Sequence, residues 1–258
     1  MSQPESVAAV AAALLQARSE RRPADARPLA RALLGAEDAY AAQERVAAAL
    51  PGAGREAFPR HWKSGGPSRA AVATHAALPP EGVWASPADG RDWPANLRLI
   101  EVEIALRLAR AVTPAQAQAL RFEDAAEAVD AMAVSIEWVD SRWQQGIEAP
   151  ALLKLADLQS HGALVLGEWV PFAPRDWAAQ RVQVRIGTQP LFERQGTHSM
   201  GDPLFVLPAW LRHATRHGQA APAGTVATTG TWCGVLPAQP GDRVLAQFEG
   251  IGEALLQL

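Results

Sequence analysis

What this sequence has little of narrows its reading at once. A single cysteine, Cys233, leaves no disulfide framework and no cysteine-based zinc site, which fits a reducing compartment and an expectation of a cytoplasmic protein. No apolar run reaches the ~18 residues that a membrane span needs. Residues 7–17 resemble the apolar core of an export signal. However, Glu5 precedes them without any Lys or Arg, and Arg18, Arg21 and Arg22 follow, so the stretch reads as a helix. A large excess of either charge is also missing: a net charge of −3 gives no reason to expect a nucleic acid or an anionic membrane as partner. Lysine is scarce. Lys and Arg together number 24, yet only Lys63 and Lys154 are lysines. A chain that otherwise chooses arginine keeps a compact ammonium of tunable pKa at just two places.

What is present is enough for a substantial core: 258 residues, 48% of them hydrophobic. Residues 4–22 are Ala-rich and helix-favouring. A second helix is expected over residues 36–50, with Glu37 and Asp38 in its first turn and Pro51-Gly52 to stop it. From about Glu56 to Leu99, short apolar pieces are broken by Gly65-Gly66-Pro67, Pro79-Pro80 and Pro87, a loop-rich region suited to framing a pocket. Thr113 caps an expected helix over residues 114–132, a strand follows at 134–139, a short helix at 151–158 and a buried strand at 162–170. Residues 182–186 alternate and turn at Gly187 to Pro190 into a hairpin. Asp202-Pro203 opens a helix that Gly218 closes. The expected organisation is α+β: a helical N-terminal region, 1–57, attached to a β-rich catalytic domain, 58–258.

The stretch most suggestive of chemistry is Ile100-Glu101-Val102-Glu103-Ile104-Ala105-Leu106. As a strand it puts Glu101 and Glu103 on one face and Val102 and Ile104 on the other. Two adjacent carboxylates suit either a water-exposed edge or a bound divalent cation. Glu137 falls on the opposite face of its strand from Ile136 and Trp138, so it is a third candidate oxygen ligand. Spacing alone does not bring it to the other two. His213 and His217, four apart on a helix, could share a metal or form a solvated face.

Several segments follow one another in a recognisable order: Glu37-Asp38-Ala39-Tyr40-Ala41-Ala42-Gln43 on the second expected helix, Trp62-Lys63-Ser64-Gly65, and the strand at residues 100–105. Further on come Ile136-Glu137-Trp138-Val139-Asp140-Ser141-Arg142, Ala156-Asp157 through Val165-Leu166-Gly167, and Gly196 through Gly201-Asp202-Pro203 with Trp210-Leu211. In that order they resemble the N-terminal helix motif, the W-K-x-G loop, the E-x-E-I-A strand, and the E-x-x-D-S-R, A-D-N-…-V-L-G and G-…-G-x-P-…-W-L segments of the fumarylacetoacetate hydrolase superfamily, in its branch of 2-keto-4-pentenoate hydratases and 2-oxo-3-hexenedioate (4-oxalocrotonate) decarboxylases.

The resemblance implies a mixed β-sheet-rich core of the fumarylacetoacetase C-terminal type. It implies Glu101, Glu103 and Glu137 as ligands for Mg²⁺ or Mn²⁺, Lys63 as the active-site lysine, and a small 2-oxo acid substrate of aromatic meta-cleavage. A homo-oligomer, with a pathway enzyme as a further partner, is implied as well. Hydration of a 2-hydroxydienoate is the leading expectation, with decarboxylation of 2-oxo-3-hexenedioate and a non-catalytic metal-binding subunit as alternatives. Where the hydratases place an acid/base aspartate, this chain reads Ala85-Ser86-Pro87-Ala88-Asp89, so Asp89 is the candidate. Leu158 stands where A-D-N has its Asn. Trp84, Asp157, Ser160, His161, His198 and Trp232 are the expected substrate contacts. Arg142 is expected to pair with a carboxylate, Asp140 being the nearest in sequence.

Overall fold

The computed structural model describes residues 2–51 and 57–258; Gly52 and Glu56, used above as a helix stop and a boundary, lie outside the described residues. In chain order the elements are α1 (Gln3–Glu20), α2 (Ala36–Ala49), β1 (His61–Gly65), β2 (Thr74–Ala77), β3 (Val83–Ala85), β4 (Ala88–Asp89), β5 (Leu99–Leu108), α3 (Pro114–Ala119), β6 (Val129–Val139) and α4 (Ala151–Ala156). They continue with β7 (His161–Leu166), β8 (Val170–Pro171), β9 (Arg181–Ile186), β10 (Phe192–Gln195), α5 (Leu207–Ala214), β11 (Val226–Thr228), β12 (Leu236–Pro237), β13 (Arg243–Phe248) and β14 (Gly252–Gln257). The architecture is α+β, with sheets forming the core. Among the described residues no helix is long and apolar enough to cross a membrane.

One sheet has nine strands in the order β2-β1-β11-β5-β6-β7-β3, with β12 also pairing with β5 and β8 with β6. It is mixed: β1 runs parallel to β11 and β3 to β7, whereas β5 and β6 are antiparallel. The second sheet has the order β10-β9-β13-β14-β4. Val102, Ile104, Ile136 and Trp138 share one core with Val184, Val244, Ala246 and Ala254, so the two sheets pack through these faces. Period-two alternation then turns Glu101, Glu103 and Glu137 to the opposite face of the large sheet.

The helix expected over 114–132 is much shorter. Thr113 Oγ1 accepts from Gln116 N at 3.3 Å, as a cap should, but Leu120 already has extended geometry and a 3₁₀ turn, Phe122–Ala128, leads into β6. Val129 and Met132 belong to that strand, which pairs with β5 from Leu99↔Val139 to Leu108↔Val129. Both faces of β6 are buried, so its apolar run carries no clean period and mimics a helix. The single strand expected at 162–170 is two, β7 and β8. Gly167 separates them where its backbone passes so close to the Glu253 carbonyl that a Cβ would collide. The helix opened by Asp202 begins as a 3₁₀ turn, Pro203–Val206, with Asp202 Oδ1 accepting from Leu204 N at 2.8 Å.

The N-terminal helices do not close a core by themselves. Val10 and Leu14 of α1 and Ala42 and Val46 of α2 pack with Trp143, Leu153, Leu155 and Ala156 of the body. Buried polar contacts hold the same junction: Gln43 Nε2 donates to the carbonyls of Leu155 (2.8 Å) and His75 (3.2 Å).

Candidate metal centre and active site

The register of β5 and β6 settles what sequence spacing leaves open. Glu101 lies directly across from Glu137, and Glu103 across from Ser135. One carboxylate oxygen from each of Glu101, Glu103 and Glu137 lies within 4.8 Å of the others. Like charges placed opposite one another on a sheet repel, so something positive must hold them. Part of it is Lys63 on β1. Trp62 points into the core between the sheets, so Lys63 projects from the carboxylate face, and its Nζ lies 2.5 Å from Glu137 Oε1 and 3.1 Å from the Gln159 carbonyl.

One ammonium does not neutralise three carboxylates, two of them buried and Glu101 half-buried. Burial, then repulsion from Glu137, pushes Glu101 up to about 8 and Glu103 to about 7. Burial acts the same way on Glu137, but Lys63 and then His161 outweigh it and hold that carboxylate below its usual range. Burial depresses Lys63, yet the three glutamates more than compensate and keep it above its ordinary value. Glu137 Oε2 is buried without a hydrogen-bond partner among the described residues. A set of three hard oxygen donors, one of them orphaned, and a residual negative charge fits a hard divalent cation such as Mg²⁺ or Mn²⁺.

In the metal-free protein the two raised carboxylates bind more protons folded than unfolded, so their ionisation works against folding. Stability is therefore expected to fall as pH rises from about 4.5 towards 8, and added Mg²⁺ to reverse the loss most at the high end. Urea midpoints at pH 5.5 and 8.5, with and without metal, check this; a metal-free midpoint that rises with pH contradicts it.

Residues not anticipated from the sequence orient the centre. Glu103 Oε2 accepts from the Thr228 hydroxyl and from Gly230 N (3.0 Å), and Ser135 Oγ lies 2.9 Å from Thr228 Oγ1. These contacts fix one oxygen of Glu103 and leave the other for a ligand. The polar run Thr228-Thr229-Gly230-Thr231, following apolar Val226-Ala227, was the available signal. Gln159 is the second addition: it sits in Leu158-Gln159-Ser160, three consecutive residues at positive φ (50°, 55° and 59°). That left-handed geometry turns the Gln159 carbonyl to Lys63 while its side-chain amide donates to Thr74 Oγ1, leaving Gln159 Oε1 and Ser160 Oγ buried without partners.

A pocket of about 280 Å³ opens over the carboxylates, lined by Lys63, Thr74, Glu101, Glu103, Gln159, Ser199, Gly230 and Thr231 among others. Of the expected substrate contacts, His161 lies beside Glu137, its Nδ1 3.4 Å from Oε1, and Ser160 is buried next to it in sequence. The others are engaged elsewhere. Asp157 accepts from Arg142 N (2.9 Å), Arg142 Nε (2.6 Å) and Arg18 Nη2 (3.2 Å), so its carboxylate is used within the protein. It is thus Asp157 that chiefly holds Arg142; Asp140 is 3.4 Å away. His198 Nε2 donates to the Thr229 carbonyl at 2.9 Å and Nδ1 accepts from Met200 N at 3.3 Å, which occupies both ring nitrogens. Trp232 is buried against Trp177, His198 and Phe248. Trp84 packs edge-on to Trp93 and donates to the Glu81 carbonyl.

Asp89 is not brought to the pocket. Ser86 Oγ accepts from Leu255 N at 2.9 Å and Ala88-Asp89 pairs with β14, tying this loop to the second sheet, where Asp89 is exposed and bound to Arg91 at 2.6 Å. His213 and His217 do not converge either: His213 stacks near Tyr40 and His75, whereas exposed His217 meets Glu44.

With this geometry in hand, the chain can be placed. It belongs to the fumarylacetoacetate (FAA) hydrolase C-terminal family, whose model matches residues 69–257. Its structure superposes on 4-oxalocrotonate decarboxylase from Pseudomonas putida G7 complexed with calcium and acetate, at 19% identity and a TM-score of 0.82, covering 98% of this chain and 97% of that one. The same enzyme complexed with magnesium and adipate matches at 18% identity and TM-score 0.82, over 100% and 98% of the two chains. Fumarylpyruvate hydrolase from Pseudomonas aeruginosa, in complex with Mn²⁺ and pyruvate, matches at 14% identity and TM-score 0.53, over 78% of this chain and 89% of that one. No curated protein matches in sequence. The full-length likeness thus includes the N-terminal helices, which the family model does not reach.

Proposed function

We propose that this protein is a divalent-metal-dependent lyase that adds water to a short 2-hydroxydienoate or its 2-oxo-alkenoate tautomer. The observation that carries the reading is the convergence of Glu101, Glu103 and Glu137 beside Lys63, with Lys63, Glu101 and Glu103 lining a pocket. The three glutamates would hold Mg²⁺ or Mn²⁺, which would supply a Lewis acid for the negative charge that develops on a 2-oxo acid. Lys63, pinned by Glu137 and Gln159, keeps a proton and a fixed positive charge at that place without having to reorganise.

The far end of the substrate separates hydration from decarboxylation. Among the described residues lining the pocket, Lys63 is the one cationic side chain, and it is committed to the carboxylates. Thr74, Gln159, Ser199 and Thr231 offer uncharged polar groups instead. Burying a second substrate carboxylate there without a counter-charge is costly, so an uncharged tail is favoured over a dicarboxylic acid.

Purified protein loaded with Mg²⁺ or Mn²⁺ should consume 2-hydroxypenta-2,4-dienoate, followed by loss of dienol absorbance. Release of CO₂ from 2-oxo-3-hexenedioate in its place would make the decarboxylase reading correct, and turnover of neither by metal-loaded protein would sink both. Thr228→Val, which keeps shape but removes the hydroxyl on Glu103, is expected to weaken Mn²⁺ binding by about tenfold to a hundredfold with the fold intact. Calorimetric titration checks it, and unchanged affinity would deny Thr228 this orienting role.

A further inference from the structure

A second cavity, of about 500 Å³, lies where the end of α1 meets the body, and among the described residues none that lines it also lines the carboxylate pocket. Its walls combine apolar surface from Ala17, Trp93 and Ala95 with the cationic side chains of Arg18, Arg21 and Arg142. Asp140, also in the lining, uses one oxygen on the backbone amides of Asn96 (2.9 Å) and Leu97 (2.7 Å), while Glu81, the other acidic residue among the described lining, is exposed. Arg18 reaches Asp157 through Nη2, and its Nε is buried without a partner among the described residues.

The second observation is His161, 3% exposed. Its Nδ1 end faces Glu137, so that nitrogen carries a proton towards the carboxylate and Nε2 presents a lone pair at the other end of the ring. Nε2 has no partner among the described residues and lies 3.5 Å from where a Cβ on Gly82 would stand, beside Trp93; Gly82 and Trp93 both line this cavity. Arg18 and His161 both line the cavity, and each carries a buried polar atom without a partner among the described residues, which asks for an occupant with complementary groups.

We infer that the cavity is a binding site for a small hydroxy-substituted monocarboxylic acid with an apolar body. The carboxylate accepts hydrogen bonds from Arg18 Nε and the Arg21 guanidinium, a hydroxyl donates to His161 Nε2, and the hydrocarbon lies against Trp93, Ala17 and Ala95. The electrostatics agree: burial, then repulsion from Arg142, brings Arg18 down to about 10, and an incoming anion relieves that repulsion. The inference does not rest on the lyase reading: the cavity shares no described lining residue with the carboxylate pocket, and His161 is the link between the two through Glu137.

The test is calorimetric titration of the full-length, Mg²⁺-loaded protein with 4-hydroxyphenylacetate and with its neutral counterpart, 4-hydroxyphenylacetamide. The acid is expected to bind saturably and the amide at least about tenfold more weakly, as loss of a charge-assisted contact requires. Arg21→Gln, at an exposed position, should weaken the acid by about tenfold and leave the amide unchanged. Ala95→Phe should exclude both probes by filling the apolar wall. Glu101→Gln should leave binding of the acid intact, which separates this site from the metal pocket. Equal binding of acid and amide, no heat with either, indifference to Arg21→Gln or Ala95→Phe, or loss of the acid in Glu101→Gln would each overturn the inference.

Discussion

Glu137→Gln is expected to cost the metal-free protein about 3–5 kcal/mol of stability, while Glu101→Gln, one strand away, is expected to cost nothing or to stabilise it. The two substitutions remove the same charge from one cluster, yet the partners differ. Glu137 is fully buried and holds the Lys63 ammonium at 2.5 Å, so its loss leaves a buried cation with a carbonyl as its remaining close contact. Glu101 is held up near 8 by burial and by Glu137, and the neutral amide relieves that repulsion. Both variants should lose divalent-cation binding, since each removes one of three ligands. Urea denaturation without metal and Mn²⁺ titration check the pair together. Equal destabilisation by the two substitutions would show that Lys63 does not depend on Glu137.

Asp157→Asn carries the second large effect, about 3–5 kcal/mol, with the N-terminal helices loosened first. Arg142 and Arg18 both donate to the Asp157 carboxylate, whose side chain is 0% exposed. Asparagine keeps the shape but leaves two guanidiniums close together with less counter-charge. Asp140→Asn should cost less, because Asp140 stands 3.4 Å from Arg142 and mainly caps the amides of Asn96 and Leu97. Chemical denaturation gives the magnitudes. Limited proteolysis localises the effect, since cleavage of Asp157→Asn should begin in residues 3–49. A stable variant with an uncut N-terminus would contradict the role given to this junction.

The role of Asp157 also shows where motif reading stops. Its place in a family-like segment suggested substrate contact, and its neighbours in space made it a tie between α1, Arg142 and the body. His198 and Trp232 follow the same pattern. A side chain in a matched loop has a defined environment, but whether that environment contains ligand or protein depends on segments far away in sequence. Thr228 illustrates the reverse: the polar run it opens is only a weak sequence mark, and its closeness to Glu103 is what gives it a role.

The sequence by itself determined the alternation that turns Glu101 and Glu103 away from the core, the separate face of Glu137, the caps at Thr113 and Asp202, and the singular lysine at 63. Each is a property of neighbours along the chain, set by the two-residue period of a strand or by a local hydrogen bond. Tertiary structure alone decided that β6 begins at Val129, that its register sets Glu137 opposite Glu101, and that β1 delivers Lys63 to Glu137. It also carried Asp89 to the other sheet. The physical reason is the same in every case. Strand pairing and burial act between residues tens of positions apart, and a shift of one residue in register would put Glu137 on the wrong side of the sheet while leaving the sequence pattern unchanged.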